Sequence, residues 1–282
     1  MKIFMAIYFT LTLSVFLYGQ SDFIDKNHLE LKWKTKPVFD TPEGLAYLPE
    51  QNILFVSNVG GLEPWAKDGN GFISKMNLEG EIIDREWITG LEGPKGMAVY
   101  ENFLYASNID EIVKIDIEKG KIIKHIPVKN AANLNDVAVD KQGNVYVSDS
   151  KMQKVHVLVK DSPSVYYEDD SFKNSNGVYI SADWVLLATG TNIVKLPAEG
   201  KAEVLLDNTG GVDGLGQISD NVYIYSHWPG RVFIHEIGKD QVKILEYPGK
   251  KKGTADICYI PEEKMLLIPT FFENTVECYI VK

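Results

Sequence analysis

Cysteine is nearly missing from this chain: its 282 residues contain two, Cys258 and Cys278, both close to the C-terminus. On the strand reading below they fall on the first and third strands of one sheet. A strand between them sets them about two 4.8 Å spacings apart, too far for an unstrained disulfide. Two free, packed thiols are expected. Basic residues are also in deficit, with 29 Lys and Arg against 39 Asp and Glu. The only basic run, Lys250-Lys251-Lys252, is short, stands before a turn at Gly253 and reads as a solvated loop. That balance excludes nucleic acid and anionic membrane surfaces as natural partners. No amphipathic helix or interdomain linker stands out. Nor is there a G-x-S-x-G elbow, a zinc-binding helix motif or a phosphate loop, which disfavours nucleophilic-serine and nucleotide chemistry.

Long apolar runs are likewise confined to one place, Ile3 to Tyr18, where Lys2 is the only charge before Asp22. With the weak small-residue exit at Gly19-Gln20-Ser21, residues 1–20 read as a secretory signal peptide, and sixteen apolar residues are slightly short for a membrane anchor. The expected product is an exported, periplasmic or extracellular monomer with no membrane contact once the leader is removed. Removing Lys2 leaves 28 basic residues against 39 acidic ones, a charge of −11. The whole chain is 45% hydrophobic and 24% charged, ordinary globular composition, and residues 21–282 read as one domain.

What the chain does have is a phrase that returns. Pro42-Glu43-Gly44-Leu45 reappears as Pro94-Lys95-Gly96-Met97, Leu134-Asn135-Asp136-Val137, Ser175-Asn176-Gly177-Val178, Val212-Asp213-Gly214-Leu215 and Thr254-Ala255-Asp256-Ile257. The Gly44-equivalent places are spaced by 52, 40, 41, 37 and 42 residues. Each phrase precedes a turn and an apolar strand, such as Ile53 to Asn58 or Met265 to Thr270. A period near forty residues with strand content predicts an all-β, six-bladed β-propeller. The last repeat supplies only three strands. The alternating segment His28 to Val38 (Leu29, Leu31 and Trp33 against Glu30, Lys32 and Lys34) is therefore expected to join the last blade at its outer edge and close the ring.

Within the phrase, one place varies: Glu43, Lys95, Asn135, Asn176, Asp213 and Ala255. A closed ring would point these residues at a common axis. Crowded carboxylates repel one another, and a central cation relieves them. The donors are all oxygens, which suits a hard ion and not a zinc site of the Cys and His type. Turn chemistry alone would explain Asn or Asp before Gly, and Lys95 could neutralise the carboxylates without a metal. The insertion Val59 to Asn70, which contains Trp65, is placed on the face where the ring opens. So are Asn58, Asn108, Asp149, His227 and Phe271, the ends of the second strands. Asn58 and His227 are taken with Lys95 and Asn135 as candidate substrate contacts.

Together, Pro42-Glu43-Gly44, Leu134-Asn135-Asp136, Ser175-Asn176-Gly177-Val178 and Val212-Asp213-Gly214-Leu215 resemble, in the same order, the gluconolactonase, regucalcin (SMP-30) and luciferin-regenerating enzyme family. The resemblance spans essentially all of residues 21–282. The phrases Lys67-Asp68-Gly69-Asn70-Gly71-Phe72 and Gly93-Pro94-Lys95-Gly96-Met97 look like those of an exported bacterial subgroup of unknown substrate. The resemblance implies a propeller with one divalent cation in its channel, calcium being favoured over magnesium, manganese or zinc. It makes Glu43, Asn176 and Asp213 the metal ligands and Asp213 also the catalytic general base. Asn135 becomes a contact to substrate or to the metal's water. In the family's sugar-lactone enzymes an arginine stands two places before that asparagine; here the place is Asn133, which argues against a sugar-acid lactone.

The resulting expectation is a metal-dependent, lactonase-type hydrolase of a small lactone or ester. The alternative is a non-catalytic exported propeller that binds a small molecule, glycan or protein on its top face, favoured by Lys95 and by the aromatic rim of Trp65, Trp228 and Phe271. A strictosidine-synthase-like activity shares the fold and is disfavoured by the intact Glu, Asn and Asp set.

Overall fold

The computed structural model describes residues 23–182, 184–248 and 252–282; the leader expected over residues 1–20, and Lys250 and Lys251, lie outside them. The described residues form six antiparallel sheets. The first strands are Pro42–Leu48, Pro94–Tyr100, Leu134–Val139, Val178–Ser181, Leu215–Ser219 and Cys258–Ile260. Each packs against the first strand of the next sheet, and the sixth returns to the first. This is the six-bladed propeller that the repeats predict.

Closure also follows expectation. Leu29–Lys34 runs antiparallel to Thr275–Val281 along the outer edge of blade six, from Leu29 opposite Val281 to Lys34 opposite Glu277. A shorter strand, Phe23–Ile24, adds a fifth strand to blade five beside Val242–Glu246, which the sequence reading did not anticipate. The N-terminal segment thus crosses the seam between the last two blades.

At that seam sits the carboxylate of Glu277, which is 2% exposed. It accepts hydrogen bonds from the Tyr247 and Tyr279 hydroxyls, each at 2.6 Å, and pairs with Lys252 at 3.2 Å and Lys34 at 3.1 Å. Burial raises its pKa, but the two hydroxyls and two ammonium groups outweigh burial and hold it below the usual range. Lys252 is therefore not part of a solvated loop: it is buried against Glu277 and the Tyr247 ring.

The core is divided among the seams between blades. Second strands are mostly apolar up to their last one or two residues because both of their faces are covered. Alternate residues then point to opposite seams: Leu54 and Val56 into the seam with blade six, Phe55 into the seam with blade two. Cys258 and Cys278 lie opposite Leu267 from either side, separated by its strand, and both are free thiols, as the strand map requires.

Near the axis the first strands come too close for side chains at four of the six repeats. A Cβ on Gly44 would stand 2.6 Å from the Lys95 carbonyl oxygen, and one on Gly214 would stand 2.1 Å from the Ile257 nitrogen. In blades one to three the ladder to the second strand also shifts register, between Pro42 and Leu45, Pro94 and Met97, and Leu134 and Val137. Each shift spans the variable residue and its successor. Serines of the second strands fill part of the gap: Ser57 Oγ accepts from Gly44 N at 2.7 Å and Ser148 Oγ from Asp136 N at 3.0 Å. A bulge of this kind re-aims a side chain, here toward the axis.

Gly214→Ala is expected to lower stability by roughly 2–3 kcal/mol, since the obstacle is backbone of the next blade. Gly211→Ala, with nothing within 4 Å of the added carbon, should be close to neutral; urea unfolding of the pair measures the difference. Glu277→Gln should cost about 1–3 kcal/mol at pH 7. Because the native pKa is depressed, that stabilisation exists above the unfolded value of about 4.3 and is lost as pH falls through the native value. The gap between wild type and variant should close below about pH 4, as followed by thermal unfolding across an acid series.

Candidate functional site

Where the first strands begin, the bulges and the loops above them enclose a cavity of about 340 Å³ lined by Glu43, Pro64, Trp65, Lys95, Asn135, Asn176, Asp213, Trp228 and Phe271. Five of the six variable-place residues therefore meet, although they are spread from residue 43 to residue 213. The sixth, Ala255, is fully buried and packs with Val59 and Phe271 instead. The insertion contributes Pro64 and Trp65, so its placement on this face is as expected; Pro64 carries no signal in the sequence.

The polar residues gather with few partners. Asn176 Nδ2 donates to Asp213 Oδ1 in a close contact, and Asn135 Nδ2 donates to Ser150 Oγ at 3.2 Å. Glu43 Oε2 is buried and has no hydrogen-bond partner. The Ser175 hydroxyl, beside Asn176, is in the same condition. Lys95 turns outward from the carboxylates: its Nζ donates to the Pro64 carbonyl at 2.7 Å and lies 4.3 Å from the Trp65 ring centre. Among the described residues no carboxylate oxygen is within 4.0 Å of that ammonium. It serves to tie the insertion down over the cavity, helped by Lys67 against Asp110 at 2.6 Å.

Beneath this floor lies a feature the sequence reading passed over. The place occupied by glycine in four repeats is aspartate in the third and sixth, Asp136 and Asp256. These blades stand opposite each other in a ring of six, and the two side chains hydrogen-bond to one another. Asp136 also accepts from the backbone nitrogens of Val137 and Val178, both at 2.7 Å. The pair lines a second cavity, of about 310 Å³, formed with the far ends of the first strands. The visible signal was an aspartate where its repeat-mates need glycine.

Four buried carboxyl groups on one axis depress each other's ionisation. Burial, then the Asp136 charge, pushes Asp213 up to about 7 against the hydrogen bond from Asn176 and the Lys95 charge. Burial pushes Glu43 up to about 8; Lys95 opposes this, while Asp213 and Asp136 add to it. Burial likewise takes Asp136 up to about 6, and burial with the neighbouring carboxylates takes Asp256 well above the ordinary range. Lys95 is lowered by its own burial, with Glu43 and Asp213 resisting. Among the described residues no three His, Cys, Asp or Glu side chains converge as a metal-binding group; two carboxylates and two amides do converge.

Two candidates do not reach the cavity. Asn58 is fully buried at the end of its strand: Oδ1 accepts from Asp40 N at 3.0 Å, and Nδ2 donates to Val56 O and Ser74 Oγ, both at 3.0 Å. His227 bonds Thr209 O through Nε2 at 2.6 Å and packs its ring against Tyr225 and Phe233; burial lowers its pKa. Asn108 and Asp149 occupy the corresponding ends and bind loop nitrogens in the same way. These side chains staple the entry loops and do not line the cavity.

No family model matches the chain, and no curated protein matches it in sequence. Solved structures do. A gluconolactonase from Xanthomonas campestris superposes with a TM-score of 0.68 at 13% identity, covering 94% of this chain and 96% of that one. Virginiamycin B lyase from Staphylococcus aureus gives a TM-score of 0.65 at 12% identity over 90% of this chain and 100% of that one. A chain of the nidogen–laminin complex gives 0.58 at 15% identity over 73% and 82%. At such identities the likeness is one of fold, shared by proteins with a hydrolase name, a lyase name and a place in a protein complex.

Proposed function

We propose that this protein is a divalent-cation-dependent hydrolase of the lactonase type, opening a small lactone or ester in the upper cavity. The observation that carries the reading is Glu43 Oε2, a buried carboxylate oxygen without a partner, beside a second carboxylate and two amides. Ionising such a group is costly without a close positive partner; burial holds Glu43 largely protonated, and Lys95 acts on it only at a distance while bonding the loop. An all-oxygen donor set suits calcium, with magnesium and manganese next. The fit is good: Glu43, Asn176 and Asp213 would hold the ion. When bound, the ion supplies positive charge that polarises the ester carbonyl and favours the negative charge developing on its oxygen.

The chain's own residues do the rest. Asp213 Oδ1 is occupied by Asn176, which leaves Oδ2 to take a proton from water. The water oxygen bonds to the acyl carbon, the ring C–O bond breaks, and the same proton passes to the leaving alkoxide. Asn135, on the cavity wall, orients the substrate. Pro64 and Trp65, held by Lys95, shield the reacting atoms from bulk water. The apolar run of residues 3–18 supports action outside the cytoplasm. A second reading, a binding module without turnover, is favoured by Lys95, whose ammonium holds the loop and not a substrate.

Calcium at 100 times its dissociation constant should raise the stability of the wild type by about 2.7 kcal/mol and that of Glu43→Gln by much less; differential scanning calorimetry reads both. With calcium present, lactone opening in a pH-stat assay should fall by about 10²–10⁴ in Asp213→Asn and should vanish in chelator. Stabilisation by calcium with no lactone opened would favour the binding module.

A further inference from the structure

We infer that the cavity selects a lactone or ester carrying an aromatic or similarly flat apolar group, and rejects polyhydroxylated ones; this rests on the lactonase reading for the reacting bond and on the cavity wall for the selectivity. The wall is divided. Polar side chains form the floor, and Pro64, Trp65, Trp228 and Phe271 form the mouth. Trp65 stands on the insertion of blade one. Trp228 and Phe271 follow the second strands of blades five and six, so apolar surface arrives from two directions around the opening.

Trp228 is 40% exposed, yet it is not loose. Its ring meets Phe271 edge-on at 4.9 Å and Phe272 at 5.7 Å, while Phe271 and Phe272 meet at 5.1 Å. Phe271 rests on Val59 and on Ala255, the one apolar residue at the variable place. An indole held by neighbours at the rim of a concave site offers a flat face at little entropic cost. The cation–π contact fixes Trp65 in the same manner.

The polar inventory points the same way. Lys95 is engaged with Pro64 and Trp65, and Asn176 with Asp213. With Glu43 and Asp213 assigned to the ion, Asn135, already bonded to Ser150 Oγ through Nδ2, is the main polar group left for substrate hydroxyls, and no arginine stands at Asn133. A sugar lactone would bring several hydroxyl groups against indole and phenyl faces, and each one left unpaired there is penalised. A fused aromatic ring would lose nothing by the same contact. The volume of about 340 Å³ is at the small end of ligand cavities, in keeping with a compact bicyclic molecule.

The test uses lactams, which cannot be opened readily, so that binding is read apart from turnover. Titration calorimetry with calcium present should show 3,4-dihydroquinolin-2-one binding at least about tenfold more tightly than gluconolactam. Trp228→Ala should weaken the aromatic lactam about tenfold or more, with Trp228→Phe recovering most of the loss and unfolding midpoints little changed. In parallel, dihydrocoumarin should be opened in preference to glucono-δ-lactone. Opening of the sugar lactone alone, with tighter gluconolactam binding, would overturn the selectivity while leaving the lactonase reading intact. If neither lactone is opened but the aromatic lactam binds through Trp228, the selectivity stands and the hydrolase falls. Binding of the aromatic lactam that ignores both Trp228 variants, or no binding, overturns the inference.

Discussion

Six first strands meet around an axis so narrow that at Gly44, Gly96, Gly177 and Gly214 an added Cβ would lie under 3 Å from the neighbouring blade. Everything near the axis follows from that approach. The strands leave the regular ladder just there, and the residue before each close contact is turned inward. The serine hydroxyls of the second strands take over the hydrogen bonding that the bulge surrenders. The two blades without glycine, three and six, are opposite, so only a pair of side chains must fit the waist. Asp136 and Asp256 do so side by side, hydrogen-bonded to one another.

Charge is the second consequence. A chain with an acidic excess puts four carboxyl groups on the axis and one ammonium beside them, then turns that ammonium toward a carbonyl and an indole. Burial raises all four acids, and repulsion adds to it at Glu43, Asp213 and Asp256. The lower pair resolves this internally by a hydrogen bond. Glu43 does not, and its free oxygen is the point at which the protein's own groups run out. A positive partner from outside is the natural completion, since a compact cation can approach Glu43 and Asp213 together where the tethered lysine side chain does not.

Much of this was written in the repeats. Period gives the blades, alternation in Leu29–Lys34 gives the closing strand, and the repeat position of Glu43, Lys95, Asn135, Asn176 and Asp213 gives the floor of the cavity. The strand map likewise separates Cys258 from Cys278 by one strand. What failed had a common cause. Asn58 and His227 were assigned by face, and face does not say whether a side chain looks up at a ligand or sideways at a loop nitrogen. The hydrogen bonds to Asp40, Val56, Ser74 and Thr209 decide it, and they depend on turn geometry that no periodicity encodes. Lys252 reads as part of a charged run because its partner, Glu277, lies 25 residues further along, beyond two strands. The short Phe23–Ile24 strand has too few residues to show a period at all.

The bulge also separates the two tasks of a first strand. Residues on either side of it, such as Leu134 and Val137, pack into the seams between blades and carry the stability. The single residue at the bulge touches the cavity and little of the seam, so acid, amide, amine and methyl all occur there within one ring. Polar chemistry can then be confined to five blades while the sixth, with Ala255 beneath Phe271, stays apolar. That asymmetry gives the cavity a reactive floor and an aromatic side. A molecule held with its ring on the aromatics therefore presents its other end to Glu43 and Asp213, which is the orientation an ester-opening site requires.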